Sequence, residues 1–428
     1  MKLKFTKFKL KNGIRIIMVP KKETESVHIE VIFKVGSRYE TPDIAGIAHF
    51  LEHTVTDGTK KRKAAIDIQK EIDQVGGFSN AYTSREITGY FVRVPAEKAK
   101  LGIDILSDML YHPKLTSKDI NKEKGVIIEE IRMYEDNPTE FGARKFIELI
   151  LGDNSLGSDV IGNVKTVGKI DRKKLIDFKS KFYTPNNTVI AIGGRIKEKE
   201  TRELLNKYFG KAGEKKENIY EKNNILQLTP KVKIIKKDVD QAKLFIGFRS
   251  FGRDRSEQDR EIAELLLRIL GGTASSILWD EIREKRGLAY DIGSFSFIFD
   301  ETGFLAIESG LNLSKLKEAL KLIFKILKEA KEKGFKEKDI KRAKDFNMGR
   351  LALSIENAPA WATGIARDLL YEKNIDLPED IIRRIKKIKN SDLKRIAREV
   401  FRPERLNMVI VGPIDPSKEK EYLKLIKL

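Results

Sequence analysis

Four histidines occur in 428 residues, and two of them stand four apart, at His49 and His53, with Glu52 directly before the second. On a helix, positions i and i+4 share a face one turn apart, so both imidazoles would point at one place. Two imidazoles and one carboxylate, with a fourth position left open, are what zinc takes at a catalytic centre. Glu52 would lie within reach of anything bound at that open position. The same residues also fit an ordinary amphipathic helix, with Phe50 and Leu51 inward and two histidines outward. The spacing alone does not separate the two readings. The chain has no cysteine, which excludes thiolate ligands and disulfides, so a third ligand has to be a carboxylate.

An internal repeat supplies a control. The stretch "LTSKDINKEKGVIIEEI" (115–131) aligns without gaps on "FKEKDIKRAKDFNMGRL" (335–351). "KFYTPNNTVIAIGG" (181–194) resembles "VFRPERLNMVIVGP" (400–413), and "IEVIFKVGSRYE" (29–40) resembles "LFIGFRSFGRDR" (244–255). Three anchors at nearly one offset identify a duplicated unit. Aligning "IAHFLEHTVTDGT" on "EIAELLLRILGGT" through the shared Gly-Thr sets Ala263 opposite His49, Leu266 opposite Glu52 and Leu267 opposite His53. Arg350 falls opposite Glu130. The scaffold therefore asks for an apolar helix at this place, and the histidines and glutamate are additions to it.

These residues need elements to carry them. The polar segment "AGEKKENIYEKNN" (212–224) marks the boundary between the copies. The expected organisation is a first half at 1–213 bearing the candidate ligands, a linker at 214–230, and a homologous half at 231–428 without them. Within a half, strand-like runs such as "GIRIIMVP" and "ITGYFVRVP" alternate with helical periods such as "AKLGIDILSDMLYH" and "LKEALKLIFKILKEAKEK". This pattern predicts an α+β fold of two sandwich-like halves, each a mostly antiparallel sheet with helices packed on one face.

Composition narrows the function classes. The net charge is +20, but the basic residues are interleaved with acids, as in "KEKGFKEKDIKRAKD", and no nucleic-acid motif accompanies them. A solvated surface is expected, not a nucleic-acid partner. No apolar run approaches the ~20 residues that cross a bilayer. The start, "MKLKFTKFKLKNG", has no apolar signal segment. The expectation is a soluble, cytoplasmic protein with no membrane partner. A charged fraction of 35% without cysteine is the usage of heat-adapted organisms.

The pattern H-x-x-E-H at 49–53 is that of inverted zinc peptidases. Together with "GGFSNAYTSREITGYF", "EKGVIIEEIRMYEDNP" and "EIREKRGLAYDIGS", it resembles the pitrilysin (M16) family of zinc metallopeptidases over essentially the whole chain. That family includes the mitochondrial processing peptidase and insulin-degrading enzyme. The resemblance implies a zinc endopeptidase with one Zn2+ per chain, held by His49, His53 and Glu130. Glu130 leaves the family's usual interval of 76 residues after His53, and the adjacent Glu129 stays open as the alternative. Glu123 would support the site from behind the ligands. Glu52 would be the general base, taking a proton from the attacking water and passing it to the leaving amine. Asn80 and Ala81 would begin an exposed edge strand that adds the substrate backbone to the sheet. Arg283 and Tyr290 would grip that backbone and the developing oxyanion.

Both residue sets lie on one chain, which implies a self-sufficient peptidase. The implied form is a homodimer whose four domains enclose a chamber admitting peptides or unfolded segments. A non-catalytic partner subunit of the same fold is the alternative, and its usual mark, an eroded zinc motif, is missing here. One departure stands out: "TVTDGT" after His53 is more polar than the family pattern. His28 and His112 fall outside the motifs and are expected to be structural or exposed.

Overall fold

β-Branched and aromatic runs form eleven strands among the described residues of the computed structural model, which are 3–211, 220, 222, 226–372 and 374–428. Most of the expected 214–230 linker lies outside them. Strands β1 (Thr6–Lys9), β2 (Arg15–Pro20), β3 (Ser26–Phe33), β4 (Phe78–Thr83), β5 (Thr88–Pro95) and β6 (Thr188–Gly194) make one sheet, ordered β1-β2-β6-β3-β5-β4. Strands β7 (Lys231–Lys236), β8 (Gln241–Phe251), β9 (Ala289–Ile298), β10 (Thr302–Asn312) and β11 (Leu406–Gly412) make a second, ordered β7-β11-β8-β10-β9. Neighbours run antiparallel except β2 with β6 and β7 with β11.

The duplication read from the sequence is visible strand by strand, since β2-β6-β3-β5-β4 and β7-β11-β8-β10-β9 share one order and one set of directions. Each sequence anchor falls on matched elements: β3 with β8, β6 with β11, and helix Ser117–Asp136 with helix Glu337–Ser354. β4 in the first sheet and β9 in the second lie at corresponding edges.

The fold is α+β as expected, with one correction: helices cover both faces of each sheet. In the first, Ile29, Val92 and Val94 face helix Ala99–Tyr111, which approaches closely at Gly102. Ile17, Val19, Ile32, Val189 and Ala191 face the other way and pack on Ala358, Ala362 and Ile365 of helix Ala358–Leu370. In the second, Leu244, Ile246, Met408 and Ile410 pack with the helices of their own half. Phe245, Phe304, Val409 and Val411 pack on Phe146 and Ile150 of helix Pro138–Leu151. The strands are apolar on both faces, and a sheet of that kind must be covered twice.

Each second cover comes from the other half of the sequence. The compact units are accordingly 1–131 with 158–221 and 352–378, and 132–157 with 222–351 and 379–428. A single cut at residue 213 does not describe them.

Candidate metal centre

Helix Ile47–Thr56 buries Ile47, Ala48, Phe50, Leu51, Thr54 and Val55. That leaves His49, Glu52, His53 and Thr56 on one partly exposed stripe, at the i, i+3, i+4, i+7 spacing of a helix face. In the duplicate helix Glu257–Gly271, the matching Ala263, Leu266 and Leu267 are all buried in the core. The apolar helix that the repeat predicted is present there without His or Glu.

Helix Ser117–Asp136 supplies the carboxylates. It buries Ile120, Glu123, Ile127 and Ile131 along one face, and Glu130 lies beside that face while Glu129 is exposed. Glu130 Oε2 is 3.8 Å from His49 Nε2 and 3.6 Å from His53 Nε2. One ligand atom from each of the three residues falls within 4.8 Å of the others. Zinc bonds of about 2.0–2.2 Å at tetrahedral angles put ligand atoms about 3.3–3.6 Å apart, and the two Glu130–imidazole separations are close to that spacing.

Glu123 lies behind the centre, its Oε2 3.3 Å from His53 Nδ1, and burial and a bond from Lys122 hold it there. Lys122 Nζ reaches Glu123 Oε1 at 3.1 Å and Asp57 Oδ1 at 3.2 Å. The polar side chains of "TVTDGT" find partners locally, and of Thr54, Asp57 and Thr59 only Asp57 connects to the site. Thr54 donates to the Phe50 carbonyl at 3.1 Å, Asp57 takes Lys122, and Thr59 donates to Asp108 at 2.6 Å.

Glu52 is set apart from the three by its environment. Burial raises its carboxyl above the usual range, against a hydrogen bond from Thr83 and the charge of His53, with Glu130 adding to the rise. Its Oε2 is buried with no hydrogen-bond partner among the described residues. An unsatisfied buried oxygen costs about 1–3 kcal/mol, and a ligand in the centre would relieve that cost. A cavity of about 640 Å³ opens beside it, lined by Glu52, His53, Ile66, Ile68, Ala81 and Met109 among others. Asn80 and Ala81 lie on the edge strand β4, where Asn80 Oδ1 accepts the Ala81 N–H at 2.9 Å.

Sequence reasoning missed Glu40. Glu40 is 7% exposed, and its carboxyl oxygens accept the N–H groups of Gly46 at 2.7 Å and Ala48 at 2.8 Å. These are donors at the start of the histidine helix that have no partner within the helix. Gly46 takes φ +94°, and a Cβ would meet the Ile161 carbonyl oxygen at 2.6 Å, so the capped entry admits only glycine. Burial pushes the Glu40 carboxyl up to about 8, against the two backbone donors. The repeat held a signal for it, since Glu40 aligns with Arg255 and so is not demanded by the scaffold. Glu40→Ala is expected to lose roughly 2–6 kcal/mol, the cost of two buried N–H groups left unpaired. Denaturant unfolding of the zinc-free protein checks this, and an unchanged midpoint would contradict it.

Thr83 and the bonded pair Tyr90–Tyr183, with hydroxyls 2.8 Å apart, were also missed. Both tyrosines are near enough to feel the Glu52 charge.

Arg283 and Tyr290 lie together in the second unit. The Arg283 guanidinium is 4.1 Å from the centre of the Trp279 ring and 5.7 Å from that of Tyr290. Of the remaining histidines, His28 sits on β3 with Nε2 3.4 Å from Glu30, and His112 ends helix Ala99–Tyr111 and is exposed. No helix among the described residues is long and apolar enough to cross a membrane.

Comparison with known proteins gives two family matches. Residues 15–163 match the insulinase family, peptidase family M16, and residues 169–347 match the peptidase M16 inactive domain. The chain is 32% identical to YmxG of Bacillus subtilis, named an uncharacterized zinc protease, over 95% of this chain and 98% of the relative. It is 31% identical to a Streptomyces coelicolor protein of the same description, over 97% and 90%. A protease from Helicobacter pylori shares the fold at a TM-score of 0.89 and 23% identity, covering 96% of this chain and all of that one. A putative M16-like peptidase from Alicyclobacillus acidocaldarius does so at 0.84 and 21%, covering 96% and 98%.

Proposed function

The chain belongs to the M16 family of peptidases, and from that premise we propose that it is a zinc-dependent endopeptidase acting on peptides or unfolded polypeptide segments. The observation that carries the reading is the convergence of His49, His53 and Glu130 beside a buried Glu52 oxygen that has no partner among the described residues. Zinc bound there would polarise the scissile carbonyl and make water acidic enough to ionise near neutral pH.

The chain's own groups do the rest. The His53 Nδ1–H donates to Glu123, which fixes the tautomer and turns Nε2 toward His49 and Glu130. Glu52, whose carboxyl burial raises above the usual range, takes the proton from the attacking water and delivers it to the leaving nitrogen. β4 offers its edge from Asn80 and Ala81 to an extended substrate, and Ile66, Ile68 and Met109 receive an apolar side chain beside the scissile bond. Arg283 and Tyr290, by the resemblance to the family, would grip a substrate backbone from the second unit. A homodimeric chamber would confine cleavage to chains that can enter unfolded.

The test is a fluorogenic unfolded peptide and a folded protein containing the same segment, each with and without a chelator. The proposal expects cleavage of the peptide alone, lost on chelation. Chelator-insensitive cleavage would overturn it.

Acidity should act through His53. Burial lowers its pKa, but the bond to Glu123 and the charges of Glu52 and Glu130 outweigh burial and raise it. A proton must leave His53 before a metal can bind. The zinc affinity is therefore expected to be level at high pH and to fall as pH drops through the raised pKa. The bend should lie above the ordinary histidine value of about 6.5. Competition with a chelator from pH 5 to 8 measures it, and a bend below 6.5 would contradict the assignment.

A further inference from the structure

Two irregularities of the backbone stand next to each other in the second unit. On the edge strand β9, Asp291 pairs with Gly310 and Ala289 pairs with Leu311. Tyr290, between them, has no partner on β10 and is the extra residue of a β-bulge. A bulge breaks the in–out alternation and re-aims the side chain it carries. Tyr290 is 74% exposed.

The bulge is locked from β10. Asp291 Oδ1 accepts the Gly310 N–H at 3.1 Å, and the buried Ser309 hydroxyl donates to the Asp291 carbonyl at 2.7 Å. A Cβ on Gly310 would stand 2.5 Å from Asp291 Oδ1, so the carboxylate can fold back only over glycine.

The second irregularity carries Arg283. Over Trp279–Glu284 the helix is wound wide, and the Lys285 N–H bonds to the Asp280 carbonyl five residues back at 2.9 Å. Arg283 lies over the Trp279 ring, whose indole N–H is fixed by Glu284 Oε1 at 3.0 Å. Wide helical turns and bulges both concentrate at functional sites, and here each presents one of two side chains that approach one another.

We infer that Asp291 is a positioning residue: with Gly310 and Ser309 it holds the bulge that turns the Tyr290 side chain outward, beside Arg283, to meet the substrate. The inference rests on the peptidase reading and deepens it. The plainer account makes Asp291 a charge that protects an exposed sheet edge from pairing. That account requires a charge at this position and no energetic link to Tyr290.

The experiment is a double-mutant cycle on kcat/KM for an unfolded peptide, in the full-length zinc-loaded protein. Asp291→Ala should lower kcat/KM about tenfold, the scale of one lost hydrogen bond. Asp291→Asn, which keeps an acceptor for Gly310, should recover most of that loss. In a Tyr290→Ala background, Asp291→Ala should cost nothing further, because residues acting as one unit are not additive. Gly310→Ala, which drives the carboxylate off its seat, should reproduce Asp291→Ala, with zinc content and thermal midpoint showing that both variants are folded.

Additive effects, or an Asn variant as impaired as the Ala variant, would overturn the inference while the peptidase reading stood. So would a Tyr290→Ala variant with wild-type kcat/KM. A wild-type protein that cleaves no peptide would overturn both.

Discussion

Glu52→Gln is expected to lower peptide hydrolysis by about 10²–10⁴-fold, the usual worth of a positioned general base, while the protein still binds one zinc per chain. Glutamine has the shape of glutamate but no basic oxygen. Residues 49–53 stay on the same helix, whose buried face does not include position 52, so the metal ligands keep their places. Glu52 is also not among the three groups whose ligand atoms converge. The loss should therefore appear in kcat and leave zinc content unchanged. Turnover within a few-fold of wild type would remove Glu52 from the mechanism, and loss of zinc with activity would make it a ligand.

Glu130→Gln is expected to lose zinc itself, by more than the 10–100-fold typical of an outer partner such as Glu123. Glu129→Gln, one residue away, should change zinc affinity and activity by no more than about twofold, as exposed substitutions do. The contrast follows from helical phase. Glu130 reaches both imidazoles, whereas Glu129 is turned about 100° around the helix and is exposed. Zinc titration of the two variants side by side measures it, and equal loss in both would show that the carboxylates share the metal.

The comparison of adjacent glutamates also shows how far the sequence could be read. The histidine pair was legible because a period of 3.6 residues fixes what i and i+4 can do, and the repeat then showed that an apolar helix suffices at that place. The choice between Glu129 and Glu130 was not local. It rested on an interval taken from relatives, and the packing of Ile127 and Ile131, which leaves Glu130 beside the two imidazoles, gives it a physical basis.

The second layer of helices was hidden for a similar reason. Helices Pro138–Leu151 and Ala358–Leu370 are amphipathic in sequence, but nothing local says that each covers the sheet of the other half. Glu40 acts at 6–8 residues' distance on a helix it does not belong to. The bulge at Tyr290 depends on Gly310, nineteen residues beyond its partner Asp291. Periodicity reports the faces of an element, whereas caps, bulges and covers depend on partners that it does not name.

The central claim is that one zinc, held by His49, His53 and Glu130, makes this chain a peptidase. The most direct measurement is bound zinc per chain followed alongside cleavage of an unfolded peptide, as the metal is stripped with a chelator and then returned. The account predicts activity proportional to zinc, rising to its full value at one ion per chain. A stripped chain that cleaves as fast as the loaded one, or a loaded chain that does not cleave, would contradict it.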